Sequence, residues 1–172
     1  MEQKTKWQEL ELYMQEHYRP KNASIGDCVQ NAGKIQRTLK GSRLDNQRLK
    51  RIIQKNKAET FSEMLLRLID KETDNAADIY KKAFIDRRHF HRIKTNPDYQ
   101  PDKATVFLFA LALELNVRET EKLLKTAGFA FSDSSKRDVI VKYFIEKKKY
   151  DIMEVEEALT ELNDNKTLQS FR

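Results

Sequence analysis

The chain has 172 residues, room for one compact domain with an extension or for two small ones. Charged residues make up 35% and mean hydropathy is −0.78, which points to a soluble protein, and no run approaches the ~18 apolar residues of a membrane span. The formal charge of +6 lies wholly in residues 1–60, which hold 13 Lys/Arg against 7 Asp/Glu, whereas residues 61–172 hold 20 of each.

The N-terminal stretch MEQKTKWQELEL lacks the apolar core of a signal peptide. Cys28 stands alone, so an internal disulfide is excluded and the expected location is cytoplasmic. His17, His89 and His91 form no zinc-ligand set, and neither a metal nor another cofactor is expected. Four Gly, three Pro and the lack of alternating apolar runs favour an all-α fold.

Trp7, Leu10, Met14 and Tyr18 recur at helical spacing, which predicts an amphipathic helix over 5–18 that ends near Pro20. Residues 19–41 read as a polar linker, and Leu44, Leu49, Ile52 and Ile53 allow a further basic helix of poorly defined face. Across this segment run Lys34, Arg37, Lys40, Arg43, Arg48, Lys50, Arg51, Lys55 and Lys57, with Asp45 and Glu59 as counter-charges. Such a basic patch suits nucleic acid or another polyanion, and a solvated connector equally well.

The organised part begins near Thr60. Thr60 or Ser62 caps a helix whose apolar face is Phe61, Met64, Leu65, Leu68 and Ile69. Thr73 and Asp74 are placed to cap the next, with Ala77, Tyr80 and Ala83 inward. Asp86 opens a third, flanked by Ile85 and Phe90 as a hydrophobic staple. Pro101 is placed to start a fourth, Ala104 to Leu115, whose continuous apolar run implies a central buried element. Glu119–Ala127 makes a fifth, stopped by Gly128. Ser134 or Ser135 starts a helix carrying Val139, Ile140, Tyr143, Phe144 and Ile145. Asp151 starts the last, with Glu154 in a capping box and Tyr150/Val155 as staple, and a frayed tail is expected after Leu162. The expected domains are 1–59 (N-terminal helix and basic linker), 60–130 (a helix-turn-helix domain) and 131–172 (a C-terminal helical pair and tail).

Five helices in the span 61–128, with a three- to four-residue turn between the second and third, is the layout of small helix-turn-helix domains. At ~100° per residue, turning Phe90 and Ile93 to the core turns Arg88, His91, Arg92 and Thr95 outward, with Arg87 on the N-terminal shoulder. Arg87 and Arg88 would then stand at the end of a reading helix, where Arg pairs bidentately with guanine. His91, Arg92 and Lys94 would reach bases or phosphates, and Lys81 and Lys82 would suit backbone phosphates. The plainer reading of these cations is an ordinary solvated face. His89 and His91, two apart on a helix, point away from each other and are poorly placed to share a metal.

The segment IYKKAFIDRRHFHRIK falls where lambda-repressor/XRE-type regulators have their two-helix motif, and residues 61–128 resemble the five-helix domain of that family. More closely, FSEMLLRLIDKE, IYKKAFIDRRHFHRI, YQPDKATVFLFALALELN, ETEKLLKTAGFAFS and SSKRDVIVKYFIEKKKYDIMEVEEAL make residues 60–162 similar to a bacterial module, with little assigned function, found alone or appended to macrodomain proteins. The resemblance implies a lambda-repressor-like helix-turn-helix domain with two further C-terminal helices and an N-terminal helical extension. Two positions depart from the regulator pattern: Tyr80 replaces a small residue, usually Ala, and Phe84 replaces the turn Gly. Either the turn takes a different conformation or the two helices pack more widely apart. Lys94, where an acidic residue is common, makes the helix more basic.

The expected function is DNA binding, as a transcriptional regulator acting on double-stranded DNA. The alternative is a protein-interaction adaptor on a degenerate helix-turn-helix scaffold, in bacterial defence or ADP-ribose-linked signalling, with a homodimer or another protein as partner. No Ser/His/Asp or Cys/His arrangement, phosphate-binding glycine loop or metal motif argues for an enzyme.

Overall fold

Thr60 starts the first long helix of the organised region by a reciprocal capping box: its hydroxyl accepts from Glu63 N, and the Glu63 carboxylate accepts from Thr60 N at 2.8 Å. Ser62, the other candidate cap, is instead buried and donates to Asn96 O at 3.1 Å. In this computed structural model, which describes residues 7–18, 59–73, 75–162 and 168, all regular structure among the described residues is helical. The helices are α1 (Gln8–His17), α2 (Phe61–Glu72), α3 (Ala76–Lys82), α4 (Arg87–Thr95), α5 (Lys103–Ala112), α6 (Val117–Thr126), α7 (Lys136–Glu146) and α8 (Ile152–Leu162). The expected linker, the helix near 44–53, the basic patch from Lys34 to Lys57 and the Asp74 cap lie outside the described residues. No helix among the described residues is long and apolar enough to cross a membrane.

Side-chain caps set most of the helix starts: Asn75 for α3, Asp86 for α4, Asp102 for α5, Asn116 for α6 and Ser135 for α7. Pro101 therefore sits one residue before the α5 cap rather than inside its first turn. At α8, Asp151 Oδ1 accepts from Met153 N at 2.9 Å, while the Glu154 carboxylate turns 3.7 Å from Lys149 Nζ, so the expected capping box is not formed.

Four helices end in one repeated geometry. After α3, α5, α6 and α7 a residue in the left-handed region closes the last turn: Phe84 (φ 55°), Glu114 (φ 53°), Gly128 (φ 77°) and Lys148 (φ 55°). In each case the following N–H reaches back to a carbonyl five residues earlier, as Ile85 N does to Tyr80 O at 2.8 Å and Leu115 N to Ala110 O at 3.0 Å. Only one of the four positions is glycine, so three side chains accept a conformation that costs L-residues about 1 kcal/mol or more.

Helix α5 is the centre. Val106 through Leu113 are each no more than 5% exposed, and the helix packs on α3, α6 and α8. Helix α7 is likewise buried on more than one side, because α1, α6 and α8 all pack on it. The N-terminal helix docks there through Trp7 against Phe144 (ring centroids 6.2 Å apart) and Tyr13 against Tyr143 (5.1 Å). Tyr13 also donates to Glu146 Oε2 at 2.8 Å, and Glu9 pairs with Lys147. Helix α1 and the described residues from 59 onward thus belong to one compact unit. Leu168 is buried in the same core, with its N–H donating to the Glu156 carboxylate at 3.1 Å, and the rest of the expected frayed tail lies outside the described residues.

Candidate functional site

Helix α4 follows α3 after only Ala83, Phe84, Ile85 and Asp86. Its orientation is set from below: Phe90 and Ile93 enter the core at 6% and 0% exposure, Ile85 is buried beside them, and Tyr80 of α3 stacks on Phe90 at 5.0 Å. Phe90 in turn meets Phe109 of α5. With that face held, Arg87, Arg88, His91, Arg92, Lys94 and Thr95 are all exposed. The expected outward fan is therefore realised.

Asp86, Arg87, Arg88, His91 and Arg92 line a shallow open concavity at the start of α4. Asp86 is occupied as the cap, accepting from His89 N at 2.8 Å, and this bond holds its carboxyl below the usual range. Among the described residues, Lys81, Arg87, Arg88, Arg92 and Lys94 have no carboxylate within ion-pair distance. Lys82 differs: its Nζ lies 2.6 Å from Glu114 Oε1, so this expected phosphate contact already has a partner. The Lys34–Lys57 patch lies outside the described residues.

The charge at the start of α4 runs against a general rule. A helix N-terminus carries partial positive charge and disfavours cations in its first turn. Elsewhere the first turns are acidic, with Glu9 and Glu11 in α1, Glu63 in α2, Asp78 in α3, Glu119 in α6, Asp138 in α7 and Glu154 in α8. Helix α5 opens with Lys103, but that ammonium is paired with buried Asp138. Helix α7 also begins with two cations, Lys136 and Arg137, but carries Asp138 in the same turn; among the described helices α4 alone opens with two arginines and no acidic residue.

His89 turns the other way from His91. Its Nε2 lies 2.7 Å from the Tyr99 hydroxyl, which ties α4 to the loop before α5. Burial, then the Arg92 charge, holds the imidazole below its ordinary pKa. Among the described residues no group of three or more His, Cys, Asp or Glu is arranged to hold a metal.

The two departures at the turn are now defined. Phe84 keeps the left-handed backbone that a glycine would take, and its ring is 54% exposed. Tyr80 is half-buried and fills the space between α3 and α4 with a stacked ring. Glu114 was not singled out from the sequence, because its meeting with Lys82 across 32 residues is a tertiary event with no local signal.

Comparison with family models, with curated proteins and with solved structures gave no match. Any functional reading therefore rests on this geometry and on the pattern of the sequence.

Proposed function

We propose that the chain is a DNA-binding protein of the helix-turn-helix class, with α2–α6 as a lambda-repressor-like five-helix domain and α4 as its reading helix. The observation that carries this reading is the pair Arg87 and Arg88, exposed and unpaired in a first turn that the helix dipole makes unfavourable for cations. A duplex supplies the missing counter-charge. Guanine O6 and N7 accept bidentately from Arg, and phosphates accept from Arg92, Lys94 and Lys81. His91 lies between these groups on the same exposed face. The role proposed is transcriptional regulation.

The experiment is selection from random duplexes with the full chain at near-physiological salt. An enriched sequence motif is the expected result, and recovery of no motif would contradict a sequence-reading role. A second reading, as a protein-interaction adaptor, is favoured by one observation: Phe84 presents an exposed aromatic ring between the cations of α3 and those of α4. A partner isolated with the full chain and lost on Phe84→Ala would support that reading.

A further inference from the structure

Helix α1 is held by few groups, and their partners lie close together. Of residues 7–18 only Trp7 and Leu10 are buried, with Tyr13 and Met14 half-buried beside them. Trp7 meets Phe144, Tyr13 meets Tyr143 and donates to Glu146, and Glu9 pairs with Lys147. These partners all fall in residues 143–147, at the end of α7. Helix α7 also packs on α6 and α8, so its place in the core does not depend on α1.

The helix itself has little to sustain it alone. It is 10 residues long, a length that is marginal in water without tertiary packing. Trp7 at its N-cap makes no side-chain cap bond, whereas α2 to α7 each have one. Residues 19–58 separate it in sequence from the start of the next described segment. Trp7, Leu10 and Met14 stand at i, i+3 and i+7, the anchor spacing by which an amphipathic helix enters a groove.

We propose that the face of α7 at residues 143–147 is a helix-binding groove whose ligand is the α1 segment, and that α1 docks and leaves as a unit while α2–α8 stay folded. An element with few buried apolar contacts opens at lower free energy than the whole domain. The groove is chemically matched to this one occupant. Its rings receive Trp7 and Tyr13, its Lys147 receives an acid, and its Glu146 receives a phenol O–H. A copy of the segment supplied as a separate peptide would make the same contacts. This inference does not rest on DNA reading, since α1 packs on α7 and α4 packs on α2 and α3.

Trp7 is the chain's only tryptophan, which gives the test its readout. In the unaltered full chain, Trp7 fluorescence should change at lower urea than far-UV circular dichroism, and coincident midpoints would overturn separate docking. The full chain carrying Trp7→Ala and Leu10→Ala has no tryptophan and an emptied groove. It should keep a cooperative thermal transition, and loss of that transition would make α1 an integral part of the core. Added to this variant, a peptide of residues 5–18 should show a saturable blue shift of its indole emission. The Leu10→Ala peptide should bind at least roughly tenfold more weakly. Adding Lys147→Glu to the receptor chain should weaken binding several-fold at low salt and less at high salt. The unaltered chain, whose own α1 fills the groove, should bind a dye-labelled peptide at least roughly tenfold more weakly than the variant. No saturable shift would overturn the proposal, as would equal binding by the Leu10→Ala peptide or by the unaltered chain.

Discussion

Tyr80 and Phe90 stack with ring centroids 5.0 Å apart and planes inclined by 29°, and this contact joins α3 to α4. Position 80 is one of the two departures from the regulator pattern, which has a small residue there. The larger ring instead fills the space between the two helices, and Phe90 passes the contact on to Phe109 in the central helix. The angle at which α4 presents its arginines is thus tied to the core through three aromatic rings.

Tyr80→Ala removes the stacked ring and leaves a gap beneath α4. Unfolding stability in urea should fall by about 2 kcal/mol. An unchanged denaturation midpoint would show that the ring supports nothing.

Phe84→Gly should act in the opposite direction. Glycine enters the left-handed region without the clash that Phe84 meets at φ 55°, and the ring it removes is largely solvent-exposed. The expected gain is about 1 kcal/mol, read as a raised midpoint. Phe84→Ala keeps the backbone penalty and should show no such gain. Destabilisation by the glycine variant would mean that the ring makes contacts worth more than the strain.

Asp138 is 1% exposed and accepts from Ser132 N at 2.8 Å and from Ser135 Oγ at 3.0 Å, besides pairing with Lys103. It joins the start of α5 to the turn before α7. Asp138→Ala leaves a half-buried ammonium and two donors unmatched, and should cost about 3 kcal/mol. A loss within about 0.5 kcal/mol, the range of ordinary surface changes, would contradict this role.

His89 gives the fold a specific pH dependence. Its folded-state pKa lies below the ordinary value, so the unfolded chain binds the proton more readily than the folded one. Its contribution is fully present above about pH 6.5 and is lost as pH falls through the depressed folded value. Stability should therefore decline below about pH 6.5, and His89→Gln should flatten that part of the profile. The capped carboxyl of Asp86, also held low, acts in a more acidic window. An unchanged slope in the His89 variant would contradict the assignment.

Much of this architecture was legible because its signals are local. Asp86, Ile85 and Phe90 mark the start of α4 within five residues, and the unbroken apolar run of α5 announces a buried helix. Thr60 and Glu63 declare α2 in the same way. Other features depend on distant partners. Leu168 has no periodic neighbours, and its place in the apolar core, with its N–H on the Glu156 carboxylate, is set by tertiary contacts. The conformation at Phe84 was legible only as a choice between two possibilities. A bulky side chain argues against positive φ, and the back-bonded turn closed by Ile85 N overrode that preference. Of the site itself, the exposed fan of α4 followed from helical geometry, whereas the pairing of Lys82 with Glu114 required the fold.

The proposed reading role is tested most directly by the salt dependence of binding to a selected duplex, compared between the full chain and its Arg88→Ala/Arg92→Ala variant. Each lost phosphate contact should reduce the slope of log affinity against log salt by about 1, and each lost base contact should weaken the selected sequence by about 1–3 kcal/mol relative to random duplex. The proposal predicts that the variant loses most of its preference for the selected sequence. Equal affinity, slope and preference in the two proteins would contradict it.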